Sequence, residues 1–112
     1  MDIQVTIHLN KCVVAVIGSI DAGTAGVVTD TLCEQISQNH PQVVLDLSQV
    51  DFMSSAGLGS ILEALKESRQ AGGDLRIAAA QPGIARVLEI SGFTNILQSF
   101  KSVEKALASY DQ

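Results

Sequence analysis

The chain has 112 residues, enough for one domain with a single core. Hydrophobic residues make up 46% and charged residues 17%, which excludes an intrinsically disordered chain. Seven Lys and Arg against twelve Asp and Glu leave a net charge of −5, which argues against nucleic-acid binding and against docking on anionic lipid.

With three Phe, one Tyr and no Trp, the core must be aliphatic. No apolar run is long enough to span a bilayer. Met1-Asp2-Ile3-Gln4 lacks the basic-then-apolar layout of a secretion signal, so the expected location is cytoplasmic. Cys12 and Cys33 show neither CxxC spacing nor a companion histidine pair. They read as two small buried or half-buried thiols rather than metal ligands, and no metal or cofactor is expected.

In chain order, Ile3 to Leu9 alternates apolar Ile3, Val5, Ile7 and Leu9 with polar Gln4, Thr6 and His8, the pattern of a half-buried strand. Asn10-Lys11 can turn the chain. Val13 to Ile17 is continuously apolar and reads as a central strand covered on both faces. Gly18-Ser19-Ile20-Asp21 ends it. Val28, Leu32 and Ile36 then recur at helical spacing, with the helix secure after about Ala25 and stopped by Asn39-His40-Pro41.

Val43 to Leu47 is the next strand. Leu58, Ile61, Leu62 and Leu65 give i, i+3, i+4, i+7 spacing, an amphipathic helix stopped by Gly72-Gly73. Leu75 to Ala79 reads as a fourth strand. Pro82 opens a helix carrying Ile84, Val87 and Leu88, closed by Gly92. A short strand near Ile96-Leu97 and a last helix from about Val103 to Ser109 follow. The order is ββαβαβαβα: one α/β domain over residues 1–112, with a mixed, mostly parallel sheet and helices.

Two segments follow apolar strands, Gly18 to Thr24 and Gln49 to Ser55. Functional groups of open α/β sheets gather beyond the carboxyl ends of strands, so Asp21, Asp51, Ser54 and Ser55 are expected to share one end. Ser54 and Ser55 stand where a helix begins. Unpaired N–H groups and the positive end of the helix dipole collect there. The simplest role for such a serine is to cap the helix. The same place tolerates an anion, including a phosphate added to a serine.

Enzyme readings fare poorly. A hydrolase nucleophile elbow is G-x-S-x-G; Gly57 follows Ser55 at the right distance, but Met53 replaces the leading Gly. The base would have to be His8 or His40, and each reads as a solvated surface residue. Gly57-Leu58-Gly59 matches neither phosphate-loop pattern. Its glycines let the helix start approach the sheet or a partner. No catalytic residue is expected.

The run Val44-Leu45-Asp46-Leu47-Ser48 through Phe52-Met53-Ser54-Ser55-Ala56-Gly57-Leu58-Gly59 resembles the signature of STAS domains, and more narrowly that of bacterial anti-sigma factor antagonists. Gly18-Ser19-Ile20-Asp21 is similar to the family's G-E-I/L-D segment. Leu75-Arg76-Ile77, Val87-Leu88 and Gly92-Phe93 also fit. The resemblance implies a STAS-like domain that is a binding module rather than an enzyme.

By the same resemblance, Ser55, three residues before Leu58, is the phosphoacceptor, with Ser54 as second choice. Asp21, Met53, Ser54, Ala56, Gly57, Leu58 and Gly59 form the partner-binding surface. The implied partners are an anti-sigma factor that is itself a serine kinase, and a PP2C-type phosphatase. The unphosphorylated form sequesters the anti-sigma factor and frees the sigma factor; phosphorylation releases it. Three positions depart from the family pattern: Ser54 stands where Asp is common, Ala56 where Ser or Thr is frequent, and Ser19 where the family has Glu. A second role within the family is a scaffold or ligand-sensing subunit of a transporter or lipid-trafficking complex.

Overall fold

The structure, a computed structural model, describes residues 1–111. Its elements are β1 (Asp2–His8), β2 (Lys11–Ile20), α1 (Ala25–Ser37), β3 (Gln42–Met53), α2 (Ser55–Gln70), β4 (Asp74–Ala78), α3 (Pro82–Ile90), a 3₁₀ turn (Phe93–Asn95), β5 (Ser99–Phe100) and α4 (Val103–Ser109). The order is the ββαβαβαβα expected from the sequence. The five strands form one mixed sheet in the order β1-β2-β3-β4-β5. Only the β1–β2 pair is antiparallel.

The first hairpin turns at Leu9-Asn10, one residue earlier than expected, because His8 pairs with Lys11. A two-residue hairpin loop needs positive φ, and Leu9 supplies it at +59°. β1 is also less buried than its alternation suggests. Only Ile3 is partly covered, since β1 is the sheet's edge and α1 does not reach far over it.

Two strands run past their expected ends. β2 continues through Gly18, whose φ of +115° bends it, to Ile20. β3 continues to Met53 rather than stopping at Leu47. Their pairing slips between Ala15 and Ile17 and again between Gly18 and Ser19. Each slip inserts one extra residue on β3 and exchanges its inner and outer faces. Leu47, Val50 and Met53 consequently all point inward.

The expected strand at Ile96-Leu97 is not a strand. Leu97 is buried in the core, and the chain pairs with β4 two residues later, at Ser99 and Phe100. His40 is half-buried rather than solvated; its carbonyl lies 3.8 Å from the Cys12 thiol.

The main core lies on one face of the sheet. Cys12, Val14, Val16, Val43, Leu45, Leu47, Leu75 and Ile77 meet α1 through Val28, Leu32 and Ile36, α2 through Ile61, Ala64 and Leu65, and α3 through Ile84 and Leu88. The other face holds a smaller cluster in which α4 places Ala106 over Val13, Val44 and Ala78. Tyr110 fixes α4 there: its hydroxyl lies 2.7 Å from the Val43 carbonyl and 2.8 Å from that of Asp74, and Arg76 stacks 4.1 Å from its ring centroid. Burial, reinforced by Asp74, pushes the phenol well above its ordinary pKa, so it stays a donor. Cys12 is fully buried and its thiol is pushed up to about 11, so it packs as a small apolar group.

α1 and α2 stop by the same device. The His40 N–H donates to Gln35 and the Asn39 N–H to Ile36; the Gly73 N–H donates to Ser68 and the Gly72 N–H to Arg69. These are paired 6→1 and 5→2 bonds around a left-handed residue, Asn39 at φ +71° and Gly72 at +90°. Gly73 has a further constraint, because a Cβ there would fall on the Pro41 carbonyl.

The two glycines should therefore respond differently. Gly73→Ala is expected to cost about 2–3 kcal/mol, since backbone must move to admit the methyl group. Gly72→Ala meets open space and is expected to cost only about 1 kcal/mol from its left-handed conformation. Urea denaturation of the two variants, compared at equal m-value, checks the ranking.

Candidate functional site

The carboxyl ends of β2 and β3 and the start of α2 meet at one place. Ile20 pairs with Met53, and the next ladder bond runs from the Ser54 N–H to the Ile20 carbonyl at 2.9 Å. Ser54 is extended, with φ −89° and ψ 176°, and is the N-cap of α2. Its hydroxyl accepts from the Gly57 N–H at a long 3.4 Å, and its carbonyl accepts from the Leu58 N–H at 3.1 Å. Ser54 is thus held through its N–H, its hydroxyl and its carbonyl. Ser55 is the first residue of the helix and is exposed.

Gly57 explains how the helix start comes so close. A Cβ there would lie 2.8 Å from Met53 Cγ, 2.9 Å from Ile20 Cγ2 and 3.0 Å from the Ile20 carbonyl oxygen. Only glycine leaves room for that approach. Gly59 is different: it is exposed, and a Cβ added there would meet nothing within 4 Å. Of the two approaches expected for these glycines, to the sheet or to a partner, Gly57 makes the first, and Gly59 stands on the outer side of the helix start.

Asp21 and Asp51 stand at the same end of the sheet, one just past β2 and one near the end of β3. The Ser19 hydroxyl donates to Asp51 Oδ1 at 2.9 Å, tying the two strand ends together across the surface. Ser19 occupies the position where the family pattern has Glu, and here it meets an acid. Asp21 organises the turn into α1. Its Oδ1 accepts from the Gly23 N–H at 2.9 Å, its carbonyl accepts from the Ala25 N–H at 2.8 Å, and its own N–H donates to the Thr24 hydroxyl at 2.9 Å. α1 packs on α2 at this end, where the buried Ser60 hydroxyl donates to the Ala25 carbonyl at 2.8 Å.

Two of the expected surface residues lie inside. Met53 and Gly57 are buried, so they support the surface from beneath and do not face outward. Ser54, Ala56, Leu58 and Asp21 are half-buried, and Ser55 and Gly59 are exposed. Sequence reasoning did not foresee the exposure of Phe52, just before the helix start, or of Val27 on α1, each 53% exposed. A signal existed for Val27: the stripe Val28, Leu32, Ile36 turns inward and leaves it facing out. For Phe52 there was none, because its orientation follows from the two slips in the β2–β3 pairing.

The histidines stand at the other end of the sheet. His8 pairs with Lys11, Lys11 pairs with Gln42, and His40 precedes Gln42. The serines follow Met53, the far end of a twelve-residue strand rising about 3.3 Å per residue. Neither imidazole can take a proton from Ser54 or Ser55.

The STAS domain family pattern matches residues 2–106. The chain belongs to the STAS domain family. Among its relatives, the anti-sigma-B factor antagonist of Listeria monocytogenes is 36% identical over 91 residues, 80% of this chain and 77% of the relative. The anti-sigma F factor antagonist of Paenibacillus polymyxa is 29% identical over 112 residues, 99% of this chain and 96% of that one. The STAS fold is also that of the anti-sigma factor antagonist SpoIIAA from Bacillus, solved in an unphosphorylated form (TM-score 0.85, 18% identity, 98% of this chain and 96% of that one) and in a phosphorylated form (TM-score 0.77, 18% identity, 97% and 99%).

The STAS helix start makes a specific demand on its glycines. Gly57→Ala gains helix propensity yet is expected to lose about 1–3 kcal/mol net, because Ile20 and Met53 must shift. Gly59→Ala is expected to gain about 0.5–1 kcal/mol, being an exposed helix-interior glycine with open space. Chemical denaturation of the pair separates close packing from local propensity.

Proposed function

We propose that this STAS protein, over residues 1–112, is an anti-sigma factor antagonist regulated by phosphorylation of Ser55. In its unphosphorylated form it binds an anti-sigma factor that is also a serine kinase, and so frees the sigma factor. Phosphorylation releases the antagonist, and a PP2C-type phosphatase restores it. The observation that carries the reading is the contrast between adjacent serines. Ser54 is held as the helix cap, whereas Ser55 is exposed at the first helical position, where the family register sets the acceptor. The antagonist names borne by the Listeria and Paenibacillus relatives support the same reading.

The surface around Ser55 suits a protein partner. Ala56, Leu58, Gly59 and Phe52 offer small and apolar contacts, and Asp21 with Asp51 supplies negative charge. Met53 and Gly57 act in binding only by shaping this surface.

A phosphate adds about −1.5 to −2 charges here. At the helix start it meets free N–H groups and a favourable dipole, so the free protein tolerates it. Against an apolar partner the same dianion must be desolvated without compensation, a cost of several kcal/mol. Asp21 and Asp51 add repulsion. The partner is rejected directly, with no rearrangement of the fold.

Incubation with candidate kinases and ATP, followed by phosphopeptide mass spectrometry, is expected to place the phosphate on Ser55. Ser55→Ala should bind the anti-sigma factor constitutively, at an affinity within about threefold of the unmodified protein. Ser55→Asp should bind at least about tenfold more weakly, or about 1.4 kcal/mol. Phosphate found on Ser54 alone, or binding unchanged by Ser55→Asp and by phosphorylation, overturns the assignment.

A further inference from the structure

The two edges of the sheet are unlike. β5 is two residues long, too short to recruit another strand. β1 is seven residues long, and one side of it is unpaired. It lacks most of the usual protections of an exposed edge: it has no Pro, no Lys and no slip in its pairing with β2, and its one acidic residue, Asp2, stands at its end.

Exposed apolar side chains concentrate there. Among the described residues, four of the eight large hydrophobics that stand exposed lie on β1 or its flanks: Met1 at 47%, Val5 at 39%, Ile7 at 45% and Leu9 at 91%. Leu9 also holds a left-handed backbone at φ +59°, which is costly for a branched side chain that gains no packing within the monomer.

The sequence of β1 is complementary to itself read backwards. An antiparallel pair centred on Val5 sets Asp2 opposite His8, Ile3 opposite Ile7, Gln4 opposite Thr6 and Val5 opposite its own copy. All seven residues are paired in this register. Extended by one position, it sets Leu9 opposite Met1. Acid meets imidazole, amide meets hydroxyl, and apolar meets apolar. Residues directly opposite in an antiparallel pair share a face, so Ile3, Val5 and Ile7 of both copies form one apolar strip. That strip continues the main core, because Ile3, Val5 and Ile7 stand opposite Val16, Val14 and Cys12 of β2.

We propose that the free edge of β1 pairs with β1 of a second copy of this chain about a twofold axis at Val5, joining the two sheets into one. The contact is isologous and therefore closes as a dimer. Its limited length makes the dimer weak and concentration-dependent. β1 lies two places from β3, the strand that delivers Ser54 and Ser55, so the dimer carries two copies of that site.

Sedimentation velocity of the full chain over a concentration series reaching millimolar is expected to show mass rising from one chain towards two. Val5→Lys sets two ammonium groups across the axis at a partly exposed position. It should remain monomeric throughout, weakening association by at least about tenfold, with an unchanged circular dichroism spectrum. His8→Asp, which opposes acid to acid, should also weaken the dimer. Adding Asp2→His to it should restore association, a rescue that damage to the fold would not produce. A wild-type chain monomeric at millimolar concentration overturns the proposal. So does a dimer whose strength is unaffected by both Val5→Lys and the charge exchange.

Discussion

The approach of the α2 start to the end of β2 sets the rest of the site. It is made by one backbone bond, from the Ser54 N–H to the Ile20 carbonyl, and by one absent side chain, at Gly57. The bond continues the parallel β2–β3 ladder by one residue beyond Met53, so the strand passes into the helix without a loop. With the backbone held there, adjacent serines receive different environments. Ser54 takes the cap position, and Ser55 begins the helix facing solvent. A bulkier residue at position 57 would lift the helix and blur that distinction.

The β2–β3 ladder reaches this point only through its two slips. A regular strand alternates faces, and a one-residue slip reverses the alternation. β3 carries two extra residues relative to β2, so from Leu47 onward it is set inward every three residues, at Leu47, Val50 and Met53. Between the inward positions lie pairs of exposed residues, Ser48-Gln49 and Asp51-Phe52. The second pair puts an acid and an aromatic ring beside the helix start. Asp51 then accepts from Ser19 on the neighbouring strand, which fixes that corner of the surface.

Much of this fold was legible in the sequence, for reasons that can be named. α4 runs over the expected Val103–Ser109, since Ser102 gives a clear cap that accepts from Lys105. α1 begins at Ala25 as its glycines and its apolar spacing imply. The strand ends were not legible. Gly18 and Ser48-Gln49 carry the composition of turns, yet the ladder runs through them because neighbouring strands supply partners that no local pattern records. Ile96-Leu97 has the composition of a strand, but Leu97 is used as a core plug, and the pairing is made by Ser99-Phe100, too short to leave a period. At the site, the placement of the two serines followed from helix-start chemistry. The burial of Met53 and the exposure of Phe52 did not, because both depend on the slips.

The rigidity of the helix start bears on how a modification there can be read. Moving α2 would break the Ser54 bond to Ile20, open the contact of Gly57 with Ile20 and Met53, and disturb the Ser60 hydroxyl that holds Ala25 of α1. Each buried polar group left unpaired costs about 1–3 kcal/mol, so a shift that loses several of them must be driven by a comparably large gain. In the proposed switch a phosphate on Ser55 supplies no such gain, because the N–H groups and dipole at a helix start favour an anion where it stands. The proposed switch therefore works at the surface, through the charge that a partner meets, while the ladder beneath it stays as it is.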